Sequence, residues 1–360
     1  MFMQYKILQT FFNQLLFGLI FVFYLIMNPW SVEGVSLDRL KLDGYLDIEY
    51  EKASNDQGNE NGSFDQRHFN LLMEATVTER LTVKGHIEFE HGVNTDSDFG
   101  TVLLEWAFGE YVVDDYLKFR AGKLLTPYGF YNEIEDATPA LLFIHVPKGL
   151  HDSSKRGGST IIPKWNTGIN VLGEYSFNED FFLDYSLYIG NGESLSTTNE
   201  AQFDDNEDKA IGGRIQIHPN FNTTLGFSIF NGDKAITETN NVKHTAYGVS
   251  MSLDIRDFNI TGEYFFSNLG EIDEKAYYIQ TSYTFFHRYT PYIVYDYLDP
   301  DSNIKDDHWE DIGIGLNVKL IEALHFKIEY HQNKRGSNNI VITNNQNNYN
   351  EIIAAITIAF

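Results

Sequence analysis

The chain has 360 residues, no cysteine, 28 Phe and 22 Tyr, and its 51 acidic against 26 basic residues give a formal net charge of −25. A mean hydropathy of −0.30 excludes a bundle of membrane-spanning helices, each of which needs roughly 20 apolar residues in a row. The acid excess excludes sequence-independent nucleic-acid binding, which depends on basic contacts to phosphate, and the aromatic content of 15% fits neither a disordered chain nor a repeat array.

Residues 1–36 read as a signal peptide. Lys6 supplies the positive start, Leu15–Met27 is an uninterrupted apolar run, Pro29 and Trp30 end it, and Gly34 or Ser36 offers the cleavage point. Residues 37–360 are then the mature domain. An exported chain without cysteine is not a disulfide scaffold, and a two-membrane bacterial envelope is its natural setting.

From residue 40 onward the pattern has period two. In Leu40–Glu51, Leu40, Leu42, Leu46, Ile48 and Tyr50 alternate with Lys41, Asp43, Asp47, Glu49 and Glu51. Leu81–Glu90 and Leu324–His331 repeat the design. Each is a strand with one apolar and one charged face.

Short polar turns fall at Thr78–Arg80, Asp114–Asp115, Asn178–Asp180, Pro219–Phe221, Arg256–Asp257, His287–Arg288 and Leu320–Glu322. Longer polar loops fall near 53–66, 92–100, 126–164, 191–208, 231–243, 267–275, 298–308 and 332–349. This alternation predicts an all-β, transmembrane, antiparallel up-and-down β-barrel of about sixteen strands, with short periplasmic turns and long outer loops. The chain ends in the alternating strand Ile356–Phe360, and a terminal aromatic of this kind resembles the assembly signal of outer-membrane barrels.

Alternation puts fourteen acids on the inward face: Asp43, Asp47, Glu49, Glu51, Glu74, Glu88, Glu90, Glu174, Asp184, Glu263, Asp296, Asp311, Glu329 and Glu351. The inward bases are Lys41, Lys84, Lys118, Arg120, Arg214 and Lys327. Unpaired charges do not face a packed interior, so the expectation is a water-filled, net acidic lumen, with the aromatic residues in the lipid-facing band.

The 126–164 loop is too long for a plain connection and carries Phe130, Tyr131, Leu141, Leu142 and Phe143. It is expected to fold into the lumen as a constriction. Its Glu133, Glu135 and Asp136 would face Lys118, Arg120, Lys123 and Arg214, with Lys84 and Glu88 on the adjoining wall, setting up a transverse field that sorts ions. Ion pairs that merely anchor the loop are the alternative reading of the same residues.

The stretch Leu117–Glu133 (LKFRAGKLLTPYGFYNE) resembles a characteristic segment of the phosphate-selective porin O/P-like superfamily, and YIGNG at 188–192, GGRIQIHP at 212–219 and PYIVYDY at 291–297 agree with it. The resemblance implies a sixteen-stranded, usually trimeric pore whose third loop folds inward, with Arg120 at that loop. Phosphate selectivity does not follow, because those pores use inward ladders of Arg and Lys. Here acids outnumber bases, and Val294 stands where a lumen Arg would be expected.

No G-x-S-x-G or H-E-x-x-H occurs, and the eleven His form no cluster along the chain, so no enzyme chemistry or cofactor is expected. Asp299, Asp301 and Asn303 alternate like calcium ligands but lack the glycine and the distal Glu of such a loop. Asp204, Asp205, Glu207 and Asp208 form a second acidic cluster. The sequence therefore predicts an outer-membrane channel for small hydrophilic solutes or ions, general or cation-preferring. Its expected partners are membrane lipid, lipopolysaccharide, the barrel assembly machinery and two further copies of itself. A surface receptor or adhesin acting through the outer loops, and an anion-selective pore, are the alternatives.

Overall fold

The computed structural model describes residues 36–54, 60–90, 101–151, 161–193, 208–237, 240–339 and 348–360. The leader and the cluster residues Asp204, Asp205 and Glu207 lie outside the described residues, apart from Ser36 at the leader's end.

The described residues form sixteen strands: β1 (Leu40–Ala53), β2 (Ser63–Thr76), β3 (Leu81–Glu90), β4 (Thr101–Asp114), β5 (Leu117–Leu125), β6 (Trp165–Ser176), β7 (Phe182–Asn191) and β8 (Lys209–Asn220) in the first half. The second half holds β9 (Thr223–Thr237), β10 (Asn240–Ile255), β11 (Phe258–Leu269), β12 (Ile272–Tyr283), β13 (Tyr289–Asp299), β14 (Trp309–Ile321), β15 (Leu324–Arg335) and β16 (Asn348–Ala359). Each pairs antiparallel with its chain neighbours, and β1 pairs with β16 to close the barrel.

Burial inverts the soluble pattern. On β15, Lys327 and Glu329 are 0% and 2% exposed, while Ile328 and Tyr330 are each 40% exposed. The polar face is inward and the apolar face outward, as an outer-membrane barrel in hydrocarbon requires.

The seam closes at Gly44, whose N–H and C=O bond the C=O and N–H of Phe360 at 2.9 and 2.8 Å. The Phe360 ring lies over this glycine, so a Cβ there would stand 2.5 Å from Cζ. It stacks on Phe69 of β2, 5.9 Å between centroids.

Two expected long loops are strand instead. β9 and β10 run on to Thr237 and from Asn240, and β11 turns into β12 at Gly270 and Glu271, with Gly270 at φ +65°. In these stretches both faces carry polar residues, Asp233, Lys243, Asn268 and Asp273 on the outer one and the buried His244, Ser267 and Glu274 on the inner one, so apolar alternation fades while backbone pairing continues.

Strand β4 carries a bulge. His86 pairs with Trp106 and Ile87 with Leu104, leaving Glu105 as the extra residue. The bulge turns Glu105 inward, where it is 1% exposed. A second irregularity between Asp47 and Glu49 adds a residue on β2 and brings Arg67 toward the inner face.

The aromatic residues are not confined to the lipid band. Tyr188, Phe230, Phe265, Tyr278, Tyr292 and Trp309 are buried. Several of them pack with Tyr128, Leu150, Ile161 and Ile162 of the 126–164 segment.

Candidate functional site

The 126–164 segment leaves β5 and returns to β6 through a closed neck. Thr126 N–H donates to Lys164 O at 2.8 Å, and Asn132 Nδ2 donates to both carbonyls at 2.7 and 3.1 Å.

From there the segment is tied strand by strand to inward side chains. Arg214 of β8 donates to Gly129 O at 2.9 Å, and Phe130 N–H donates to Glu263 of β11 at 2.9 Å. Lys327 of β15 donates to the carbonyls of Thr138, Leu141 and Phe143 at 2.6, 2.7 and 2.6 Å. Ile144 N–H donates to Glu329 at 2.7 Å, and His145 Nε2 meets Glu49 of β1 at 2.9 Å. The one-turn helix α1 (Lys148–His151) follows. In it Lys148 pairs with Glu351 of β16 at 2.9 Å and Gly149 N–H donates to Asp296 of β13 at 2.8 Å. Val294, the position without an Arg, packs against Phe143.

This wiring corrects the picture of a freely hydrated acidic wall. Glu263 also accepts from Ser250 at 2.6 Å and Tyr278 at 2.9 Å. Glu329 also accepts from Tyr292 and meets His331 at 3.0 Å. Asp47 holds His68 through both its backbone N–H and its ring, at 2.8 and 2.9 Å, and Asp311 holds His331 at 2.6 Å. These carboxylates are buried and partnered, so they fasten structure rather than line open water.

The expected constriction residues divide into groups. Glu133 and Arg214 pair at 2.7 Å. Arg120 and Lys84 instead converge on Glu110 of β4, at 2.7 and 3.1 Å, with the Arg120 guanidinium 5.0 Å over Phe108. Lys123 Nζ donates to Leu104 O at 2.7 Å and lies 5.0 Å over Trp165. Lys118 is half-buried on β5 and has no ion pair among the described residues. Glu88 is buried and accepts from Asn70 Nδ2 at 3.3 Å.

Glu135 and Asp136 do not face Lys118, Arg120 or Lys123. They meet Lys164, at 3.6 and 3.1 Å, which also binds Glu105 at 3.0 Å. Burial pulls the Lys164 ammonium down, but Asp136, Glu135 and Glu105 outweigh it and raise it well above its ordinary value. Burial, together with the charges of Asp136 and Glu105, pushes Glu135 up to about 7. Asp136 is held at about 2 against its own burial, chiefly by Lys164. The sequence reading missed Glu105 and Glu110 because the bulge hides the register of β4. It missed Lys164 because a residue just before a strand has no alternation to place it.

Ligand atoms of Glu88, Glu105 and Asp136 lie within 4.8 Å of one another, as do those of His68, Glu88 and Glu90. The first set is all oxygen, the chemistry of hard cations, and Lys164 already brings a positive charge to it. Asp301 accepts from the backbone N–H and the amide of Asn303 at 3.0 and 3.1 Å, and Asp299 from Ser302 at 3.1 Å. These oxygens hold their own turn.

Ser267 Oγ lies 2.8 Å from His244 Nε2, and His244 Nδ1 bonds Glu193. The order is that of nucleophile, base and orienter, but all three are nearly inaccessible. Ile161 O also stands 3.2 Å from Nε2. The group fastens the end of the segment.

A cavity of about 720 Å³ lies against the other side of the segment, lined by Phe130, Tyr131, Glu133 and Leu142 from it and by inward residues of β8 to β15.

No curated protein sequence matches the chain. Solved structures resemble it in fold: OmpT of Vibrio cholerae at 13% identity and TM-score 0.60, covering 91% of this chain and 100% of that one, and an anion-selective porin from Comamonas acidovorans at 12% identity and TM-score 0.62, covering 89% and 99%. The outer-membrane channel DcaP of Acinetobacter baumannii matches at 12% identity and TM-score 0.61, covering 91% and 100%. The model of the Gram-negative porin family matches residues 34–339. The chain therefore belongs to the Gram-negative porins, β-barrels of the outer membrane that act as passive channels for solutes.

Proposed function

We propose that this porin is a general diffusion channel for small hydrophilic solutes, weakly cation-preferring, in which the 126–164 segment lies across the lumen and sets the width of the passage. The supporting observation is the spread of its anchors: Lys327 and Glu329 on one arc, Arg214 on another and Glu49 at the seam all bind the same segment through inward side chains. The cation preference is weak because most inward acids are already paired, and Arg214 is neutralised by Glu133 at 2.7 Å. An anion filter of the phosphate-selective type has little support, since Lys84, Arg120 and Arg214 each carry a carboxylate partner.

Residues 1–36 serve as the export leader and Phe360 as the assembly signal, and the barrel works as a homotrimer amid lipopolysaccharide. Trimeric forms among structural neighbours, such as that of Vibrio cholerae OmpT, are in keeping with this.

Planar-bilayer recording under a KCl gradient tests the proposal. A modest reversal potential of cationic sign is expected. Clear anion preference, or a conductance unaffected by shortening the 126–164 segment, counts against it.

A further inference from the structure

The cavity beside the segment is unlike the rest of the inner face. Its barrel side, from β8 to β15 near the short-turn end, is built of neutral amides and hydroxyls such as Gln216, Ser252, Asn259, Thr261 and Gln280. The carboxylate in its lining, Glu133, is paired with Arg214 at 2.7 Å. Of the two imidazoles in its lining, His218 is paired with Asp184 at 2.7 Å and His325 is hydrogen-bonded to Asn317 at 3.0 Å. Its opposite side is apolar and aromatic, with Phe130, Tyr131 and Leu142. In a chain of net charge −25, this passage offers almost no net charge.

The neutral groups are ordered rather than loose. Ser252 and Thr261 share a hydroxyl bond of 2.8 Å, Asn259 donates to Ser252 at 3.3 Å, and Gln280 donates to the Tyr131 hydroxyl at 3.1 Å. A hydroxyl both donates and accepts, and an amide offers one group of each kind. Such a wall matches a solute whose own edge is a row of hydroxyls. An ion entering it gains no opposite charge there. The aromatic and aliphatic side covers the C–H face of the same solute. The volume falls in the range of sites for small organic ligands, roughly 300–1,000 Å³.

We infer that this cavity is a binding station for neutral polyhydroxylated solutes, sugars of one or two rings, held between the amide and hydroxyl wall of β8–β12 and the Phe130–Leu142 face of the segment. The inference rests on the channel reading above and adds a substrate class to it.

The test is single-channel recording of the reconstituted full-length porin in KCl, with sucrose added on either side and glucose 6-phosphate as an anionic control. Open channels in KCl confirm the channel reading by themselves. Sucrose is expected to produce concentration-dependent blockades that glucose 6-phosphate does not. The Gln216→Leu/Ser252→Ala variant, checked for folding by its heat-dependent gel mobility, should weaken those blockades about tenfold with KCl conductance within about twofold of the parent. Conducting channels that sucrose never blocks, or blockades unchanged in the variant, overturn the sugar site and leave the channel standing. A folded barrel with no KCl conductance overturns the channel reading itself.

Discussion

The backbone N–H of Ile144 donates to the carboxylate of Glu329 at 2.7 Å, joining residues 185 apart in the chain. Alternation assigns Glu329 to an ion-conducting wall, whereas the fold uses it as a clamp on the 126–164 segment. The same carboxylate takes the Tyr292 hydroxyl and His331, so one buried acid organises two strands and the segment.

Glu329→Ala is expected to leave those donors facing a void and to destabilise the barrel by about 3–5 kcal/mol, the usual cost of removing one partner from a buried ionic group. Urea unfolding in detergent micelles measures it. Glu329→Gln, which still accepts from Ile144, should lose distinctly less, and equal losses would contradict the clamp.

Lys327 is fully buried and gives all three ammonium protons to the carbonyls of Thr138, Leu141 and Phe143. Lys327→Met keeps the aliphatic stem and removes the donors, each worth roughly 1.5–3 kcal/mol when charged. The expected outcome is a looser segment, read as noisier and larger single-channel currents. An unchanged current trace would speak against its anchoring role.

The Lys164 cluster predicts a pH dependence. Glu135, raised to about 7 from an ordinary 4.5, binds its proton more tightly folded than unfolded, so stability grows as pH falls from above 7 toward 4.5. Asp136, lowered to about 2 from 3.8, contributes stability above 3.8 that is lost as pH drops through 2. Thermal unfolding across this range should pass through a maximum near pH 4, and Glu135→Gln should reduce the rise between 7 and 4.5 while sparing the acid limb.

Glu133→Gln frees the Arg214 guanidinium, 2.7 Å from its partner in the parent protein, beside the proposed passage. The chloride-to-potassium permeability ratio is expected to rise roughly twofold. A reversal potential that stays put would place the pair away from the ion path.

Gly44→Val puts a branched carbon where Phe360 Cζ lies 2.5 Å and Asn70 O lies 2.6 Å from a bare Cβ. Neither the terminal ring nor the β2 backbone can give enough room, so seam closure should fail. Gel mobility before and after heating reads the folded fraction, which should fall severalfold. Normal assembly would show that the seam tolerates a displaced Phe360.

Much of the architecture is written locally. Period-two alternation fixes which side of Lys327 or Ile328 faces lipid, the polar breaks at Arg256–Asp257 and Leu320–Glu322 mark turns, and Thr126 to Lys164 bound the long segment in both sequence and structure. Each of these signals spans a few residues, so the sequence by itself determined the barrel, its approximate strand number and its two faces. The fate of each charge was decided only by tertiary structure. Lys164 finds Glu105 because a bulge adds one residue to β4, and Glu49, Glu263 and Glu329 find the segment from places 96 to 185 residues away. An ion pair is a property of distance in space, and period two carries no information about which distant residue will bond to a given carboxylate. For that reason the acid excess, legible at once as a number, became mostly scaffolding once the chain was folded.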